Sequence, residues 1–332
     1  MKHEGTQAAA GTPSASRKGS EAGQQAWPGR RLFLPIEWAA AAYCAITLIA
    51  MLCLWGQLAH PLSMLGMRAL WVAVTLVAVW LHRLLPTRWM LFLRLAVQLM
   101  WLQQWYPDIY AFNSLANNLD HVMAGWDEAL FGCQPALLFS QLVPNHYWCE
   151  AFNLGYVSYY PMILALMLVA YGKSDAMLKE CSFVVLASFL VYYLIYLCLP
   201  VAGPQFYFAA VGTDQIAHGV FPELGTYFAS HTDMLPNPGT DGLFRMLVEA
   251  AQASGERPQA AFPSSHIGVS TIVMLLCARH RLRLGLWLLP LWVLLCCATV
   301  YIQAHYVVDA VAGLLTAPLV FGLTLRAYPR RA

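Results

Sequence analysis

Apolar residues come in long runs separated by short polar stretches. Eight runs stand out, at approximately 34–58, 68–85, 89–106, 148–171, 180–200, 262–278, 284–302 and 304–326. About 18 apolar residues suffice to cross a bilayer as helix, and several runs approach or exceed that length. The second, third and sixth are short or carry polar residues, so their ends are soft. The pattern predicts an all-α, polytopic membrane bundle with no internal repeat. The first run is longer than a signal-peptide core and shows no clear cleavage site, so a retained membrane helix is expected. The stretch before it is rich in Ala, Gly, Ser and Gln, and residues 1–33 are expected to form a disordered tail.

Composition agrees with this reading. The chain is 59% hydrophobic and only 11% charged, whereas a soluble domain carries about 25% charged residues. A net charge of +2 is too small to suggest nucleic acid as a partner. The positions of the basic residues then orient the helices. They cluster at Arg17 to Arg31, Arg83 to Arg94, Lys173 and Lys179, Arg279 to Arg283, and Arg326 to Arg331. With eight spans, all these clusters fall on one side, and of the 19 basic residues only Arg68, Arg245 and Arg257 fall on the other. The excess of positive charge on the inside predicts that both termini are cytoplasmic.

Two long segments then face outward. Segment 107–147 carries Asp108, Asp120, Asp127 and Glu128 and no basic residue. Leu115, Leu119, Val122, Trp126 and Leu130 recur there at helical spacing, which suits a helix on the membrane surface or one packed on the bundle. Segment 201–261 is rich in Gly, Pro and polar residues and is expected to be turns and irregular loop. A connection of that length serves either as a lid over a site or as a tolerated insertion. Of the nine cysteines, Cys133 and Cys149 lie in or beside the first outer loop, and their spacing alone specifies no bridge.

Two stretches at the outer ends of helices carry candidate chemistry. Phe262-Pro263-Ser264-Ser265-His266 precedes the sixth span. Ser264 or Ser265 can cap that helix, whose free N–H groups and positive dipole end would attract an anion. An ordinary capped helix with a boundary histidine reads the same way. The second stretch runs from Tyr301 to Asp309 at the start of the last span. His305 and Asp309 are four residues apart and share a helix face. An intramembrane carboxylate is costly and suggests a function. Hydrogen-bonded to one imidazole nitrogen, it would fix the tautomer and leave the other nitrogen as a nucleophile. A structural His–Asp pair is the plainer alternative. Between His266 and His305 the chain crosses the membrane and returns, so both histidines are expected at one level. Such a pair suits covalent catalysis, with one ring attacking and the other protonating a leaving group. No metal-ligand spacing is apparent, and no cofactor is expected.

Pro-Ser-Ser-His followed by His-Tyr-x-x-Asp resembles the type-2 phosphatidic acid phosphatase superfamily, whose signature motifs include Pro-Ser-Gly-His and Ser-Arg-x5-His-x3-Asp. The stretch Thr299 to Asp309, together with Leu199-Pro200-Val201-Ala202-Gly203-Pro204, is most similar to the inositol phosphorylceramide synthase branch. The resemblance implies a six-helix core over 89–326, preceded by two helices in 34–88 and followed by a cytoplasmic tail, 327–332. It implies that His305 becomes a phosphohistidine, that Asp309 orients it, and that His266 is the general acid. Ser264 or Ser265 would help to hold the phosphate.

The family's Lys-x6-Arg-Pro motif is missing, and Thr299 stands where the third motif has Arg. A transferring phosphoryl group needs positive charge around it, and Arg245 is the candidate substitute. The expected partner is a membrane lipid with a phosphate head group, acted on at the extracytoplasmic face. A lipid hydroxyl as acceptor makes the chain a phosphotransferase, and water makes it a phosphatase. A non-catalytic lipid-binding or transport protein is the remaining class.

Overall fold

The computed structural model describes residues 32–329, so residues 1–31 and 330–332 of the expected tails 1–33 and 327–332 lie outside the described residues. Fifteen α-helices form, and no strand is present among the described residues. In chain order they are α1 Pro35–Cys53, α2 Pro61–Leu84, α3 Arg88–Met100, α4 Leu102–Asn113, α5 Asp120–Phe131, α6 Pro135–Leu142, α7 His146–Val157 and α8 Tyr159–Lys173. There follow α9 Asp175–Cys198, α10 Pro204–Val211, α11 Thr213–Ala217, α12 Leu243–Ala253, α13 Ser265–Arg279, α14 Leu284–Tyr301 and α15 Val307–Ala327. The fold is the expected all-α membrane bundle.

Local chemistry sets the helix starts. Proline begins α1, α2, α6 and α10, where its missing N–H costs nothing. Thr87, Asn145, Ser174 and Ser264 cap α3, α7, α9 and α13 through side-chain oxygens. The fourth predicted span is a bent pair, α7 and α8, meeting at 49°. At the break Ser158 Oγ donates to the Gly155 carbonyl at 2.6 Å, which diverts a backbone acceptor of the helix.

Every predicted span has a helix, but not every helix is a long apolar one. Five are long and apolar enough to cross a membrane, or six if the bent pair is one span. The sixth predicted span, α13, is shorter. The third divides into α3 and α4 at Trp101, and Arg94 within it is buried. That charge is met by Glu37 of α1, which accepts two hydrogen bonds of 2.6 Å from the guanidinium.

Long α9 is the centre of the bundle, touching α1, α3, α4, α8, α13 and α15. α13 lies between α14 and α15, and α14 packs on α7. Segment 107–147 does contain a helix, α5, with Trp126 and Leu130 exposed as a surface helix requires. Its opposite face, Asp120, Met123, Ala124 and Asp127, is what docks on the bundle. Segment 201–261 is more helical than its composition suggests, holding α10, α11 and α12. Cys133 and Cys149 are both free thiols.

Candidate active site

After α14 ends at Tyr301, the chain turns through Ile302 to Tyr306 before α15 begins, so His305 precedes the helix rather than lying within it. Its N–H donates to the Thr299 carbonyl at 2.9 Å. Its Nδ1 lies 2.9 Å from the Ala261 carbonyl oxygen. A carbonyl only accepts, so Nδ1 carries the hydrogen and the lone pair of the neutral ring is on Nε2. That Nε2 faces His266 Nδ1 at 3.4 Å. Asp309 Oδ2 is 3.5 Å from His305 Nδ1 and accepts from the Tyr306 N–H at 2.9 Å. The carboxylate's hydrogen bond therefore goes to the backbone beside the histidine, and a backbone carbonyl takes the ring's hydrogen. Burial, reinforced by His266, pushes the His305 imidazole down to about 3, which favours the neutral ring.

His266 is held from the other side. Ser264 caps α13, accepting from the Ile267 N–H at 3.4 Å. Its own N–H donates to the Asp309 carbonyl at 3.0 Å, which joins α13 to α15. The close approach requires Gly313, because a Cβ there would sit 2.6 Å from the Ser264 carbonyl oxygen. Small residues permit such helix contacts. The His266 ring lies between Tyr156 and Tyr159, at centroid distances of 4.8 and 4.7 Å. The Ser265 N–H donates to Tyr196 Oη at 2.9 Å. The Ser265 hydroxyl also hydrogen-bonds with Tyr196, and the His266 N–H stands at a helix end whose dipole favours an anion.

Two carboxylates unmarked by any motif complete the arrangement. Asp120 accepts from the Ala202 and Gly203 N–H groups at 2.6 and 2.8 Å and from Tyr306 Oη at 3.0 Å. Asp127 accepts from the Val307 and Val308 N–H groups, each at 2.9 Å. Both are fully buried. Burial raises both carboxyls, and the N–H groups they accept from oppose it. The sequence did carry a signal for them: seven residues apart, they share one helical face.

Ser264, Ser265, His266, His305 and Asp309 thus come together. The contacts of Arg245 lie elsewhere. It pairs with Glu249 at 2.9 Å and Asp241 at 3.5 Å, and donates to the Gly239 carbonyl at 2.6 Å. Arg68 is buried against Asp108 at 3.0 Å, and Arg257 lies over the Tyr110 ring at 5.9 Å.

A family model described as the PAP2 superfamily matches residues 121–323, more than half of the chain. The match starts within α5, so α1 to α4 precede it. No curated protein and no solved structure matches the chain.

Proposed function

The chain belongs to the PAP2 superfamily, which comprises phosphatases and phosphotransferases, and we propose that it is a membrane lipid phosphotransferase working through a phosphohistidine on His305. The observation that carries this reading is the His305 ring itself. Nδ1 is committed to the Ala261 carbonyl, and Nε2 points at His266. In the first step Nε2 bonds to the phosphorus of a lipid phosphodiester, the bond from phosphorus to the leaving oxygen breaks, and His266, in its protonated form, gives that oxygen a proton. In the second step a lipid hydroxyl loses its proton to His266 and attacks the phosphorus, which releases His305. The α13 N-terminus, with Ser265 and the His266 N–H, is the cradle for the phosphate oxygens. Because His305 Nε2 and His266 Nδ1 are 3.4 Å apart, one ring must turn for phosphorus to enter.

The likeness of Thr299 to Asp309 to the inositol phosphorylceramide synthase branch supports inositol phosphate as the transferred group and ceramide as acceptor. The distribution of basic residues supports an extracytoplasmic site with both termini cytoplasmic. The test is to incubate the purified protein with phosphatidylinositol labelled in its head group, with and without ceramide. Label on ceramide supports transfer, and label released as a water-soluble phosphate assigns water as the acceptor. Unchanged turnover of every lipid tested in a correctly inserted His305→Ala protein would sink the enzymatic reading.

A further inference from the structure

Helix α12 has two unlike faces. Val248 and Gln252 are buried, and Gln252 bonds to Asn237 at 2.7 Å and Gln205 at 3.1 Å. On the other side Leu243, Met246 and Leu247 are 58%, 58% and 42% exposed, and Ala250 continues the row. The spacing i, i+3, i+4, i+7 makes them one apolar stripe. No part of the described chain covers it.

The position of α12 says what does. Its start is fixed by Glu150, whose carboxylate accepts from the Phe244 and Arg245 N–H groups at 2.9 and 3.1 Å. Just before it, Thr240 Oγ1 lies 2.8 Å from His146 Nδ1. Glu150 and His146 belong to the first turns of α7, the end of the bent apolar pair α7–α8. Those turns also display Tyr147 and Trp148, 81% and 53% exposed. Amphipathic rings at the end of a membrane span mark the headgroup level. The stripe on α12 is therefore tethered at a membrane–water boundary, on the face of the bundle that carries His266 and His305.

We infer that α12 is an interfacial helix whose Leu243–Met246–Leu247 stripe inserts into the lipid leaflet on the histidine face. Arg245 and Glu249, paired along its flank, stay among the headgroups, as in other helices that lie in the membrane plane. The chain from Ala253 to Ala261 then links the leaflet to the carbonyl that holds His305 Nδ1. The inference stands whether or not the chain is an enzyme.

An environment-sensitive fluorescent amino acid, placed singly at 243, 246 or 249 in the full chain, tests it in phosphatidylcholine vesicles with and without acyl-brominated phosphatidylcholine. Probes at 243 and 246 should emit to the blue of the probe at 249 and lose at least half their intensity to the brominated lipid. The probe at 249 should instead be quenched by aqueous iodide. Equal iodide quenching at all three positions would overturn the assignment. So would bromine quenching at 246 that appears only on diluting the protein in lipid, which would mean that a second copy covers the stripe. Repeating the measurement in His305→Ala separates this outcome from any failure of the phosphotransfer reading.

Discussion

His305 Nδ1 is 2.9 Å from the Ala261 carbonyl oxygen and 3.5 Å from the nearer carboxylate oxygen of Asp309. The residue that motif spacing nominates as orienter is thus the second neighbour. Asp309→Asn should keep the His305 tautomer and lower turnover by about 10–100-fold, less than the loss from His266→Ala, on the order of 10²–10⁴-fold. Trapping acid-labile phosphoenzyme in Asp309→Asn and in His305→Ala checks this. Asp309→Asn should still form it, and His305→Ala should form none.

Asp127 holds the first two N–H groups of α15. Asn in its place keeps one acceptor and turns an amide NH2 toward the other N–H. The buried unmatched donors should cost about 1–3 kcal/mol of stability, read as a lower unfolding temperature in detergent. The turn bearing His305 should loosen as well, so kcat should fall while KM stays near its wild-type value.

Glu256 lies on the segment between α12 and Ala261, and burial pushes its carboxyl up to about 7. Its charge acts on Tyr156, the ring stacked on His266. Below that pH it is neutral, and above it an anion acts on the ring that stacks on His266, which should disfavour an anionic substrate there. KM for a lipid phosphate should therefore rise as pH increases through about 7, and Glu256→Gln should flatten the rise. Because the folded-state value exceeds the unfolded one, the native state binds more protons between the two. This group's contribution to stability is fully present at lower pH and is lost as pH rises through that window. Thermal unfolding across the same range checks the sign.

Gly203 has φ +99°, and a Cβ there would lie 2.7 Å from the Ala304 carbonyl oxygen. Gly203→Ala should cost roughly 1–3 kcal/mol through backbone strain and displace the turn next to His305. Reduced yield of folded protein, with loss of activity in what remains, is the expected result.

Much of this was legible in the chain because it rests on periodicity and spacing. Each of the eight apolar runs contains a helix, five or six of them being long apolar ones, and the segment between the histidines brought them to one level. What escaped lies in backbone atoms and in pairings across distant segments. No side chain announces the Ala261 carbonyl. The stripe from Leu115 to Leu130 identified α5, yet the helix docks through Asp120 and Asp127, whose partners are N–H groups far along the sequence. The engagement of Arg245 could have been read, since Asp241 and Glu249 flank it at four residues on either side.

The N-terminus of α15 is already filled. Asp309 takes the N–H of Tyr306, and Asp127 takes those of Val307 and Val308. A helix end that elsewhere would greet a phosphate here has its acceptors built in, and the three arginines Arg68, Arg245 and Arg257 are engaged with other groups. If the α13 end receives the anion, as proposed, a doubly charged phosphomonoester should meet more resistance than a phosphodiester bearing a single charge. In the proposed reaction, the groups that close the α15 end would thereby favour substrates bearing a single charge.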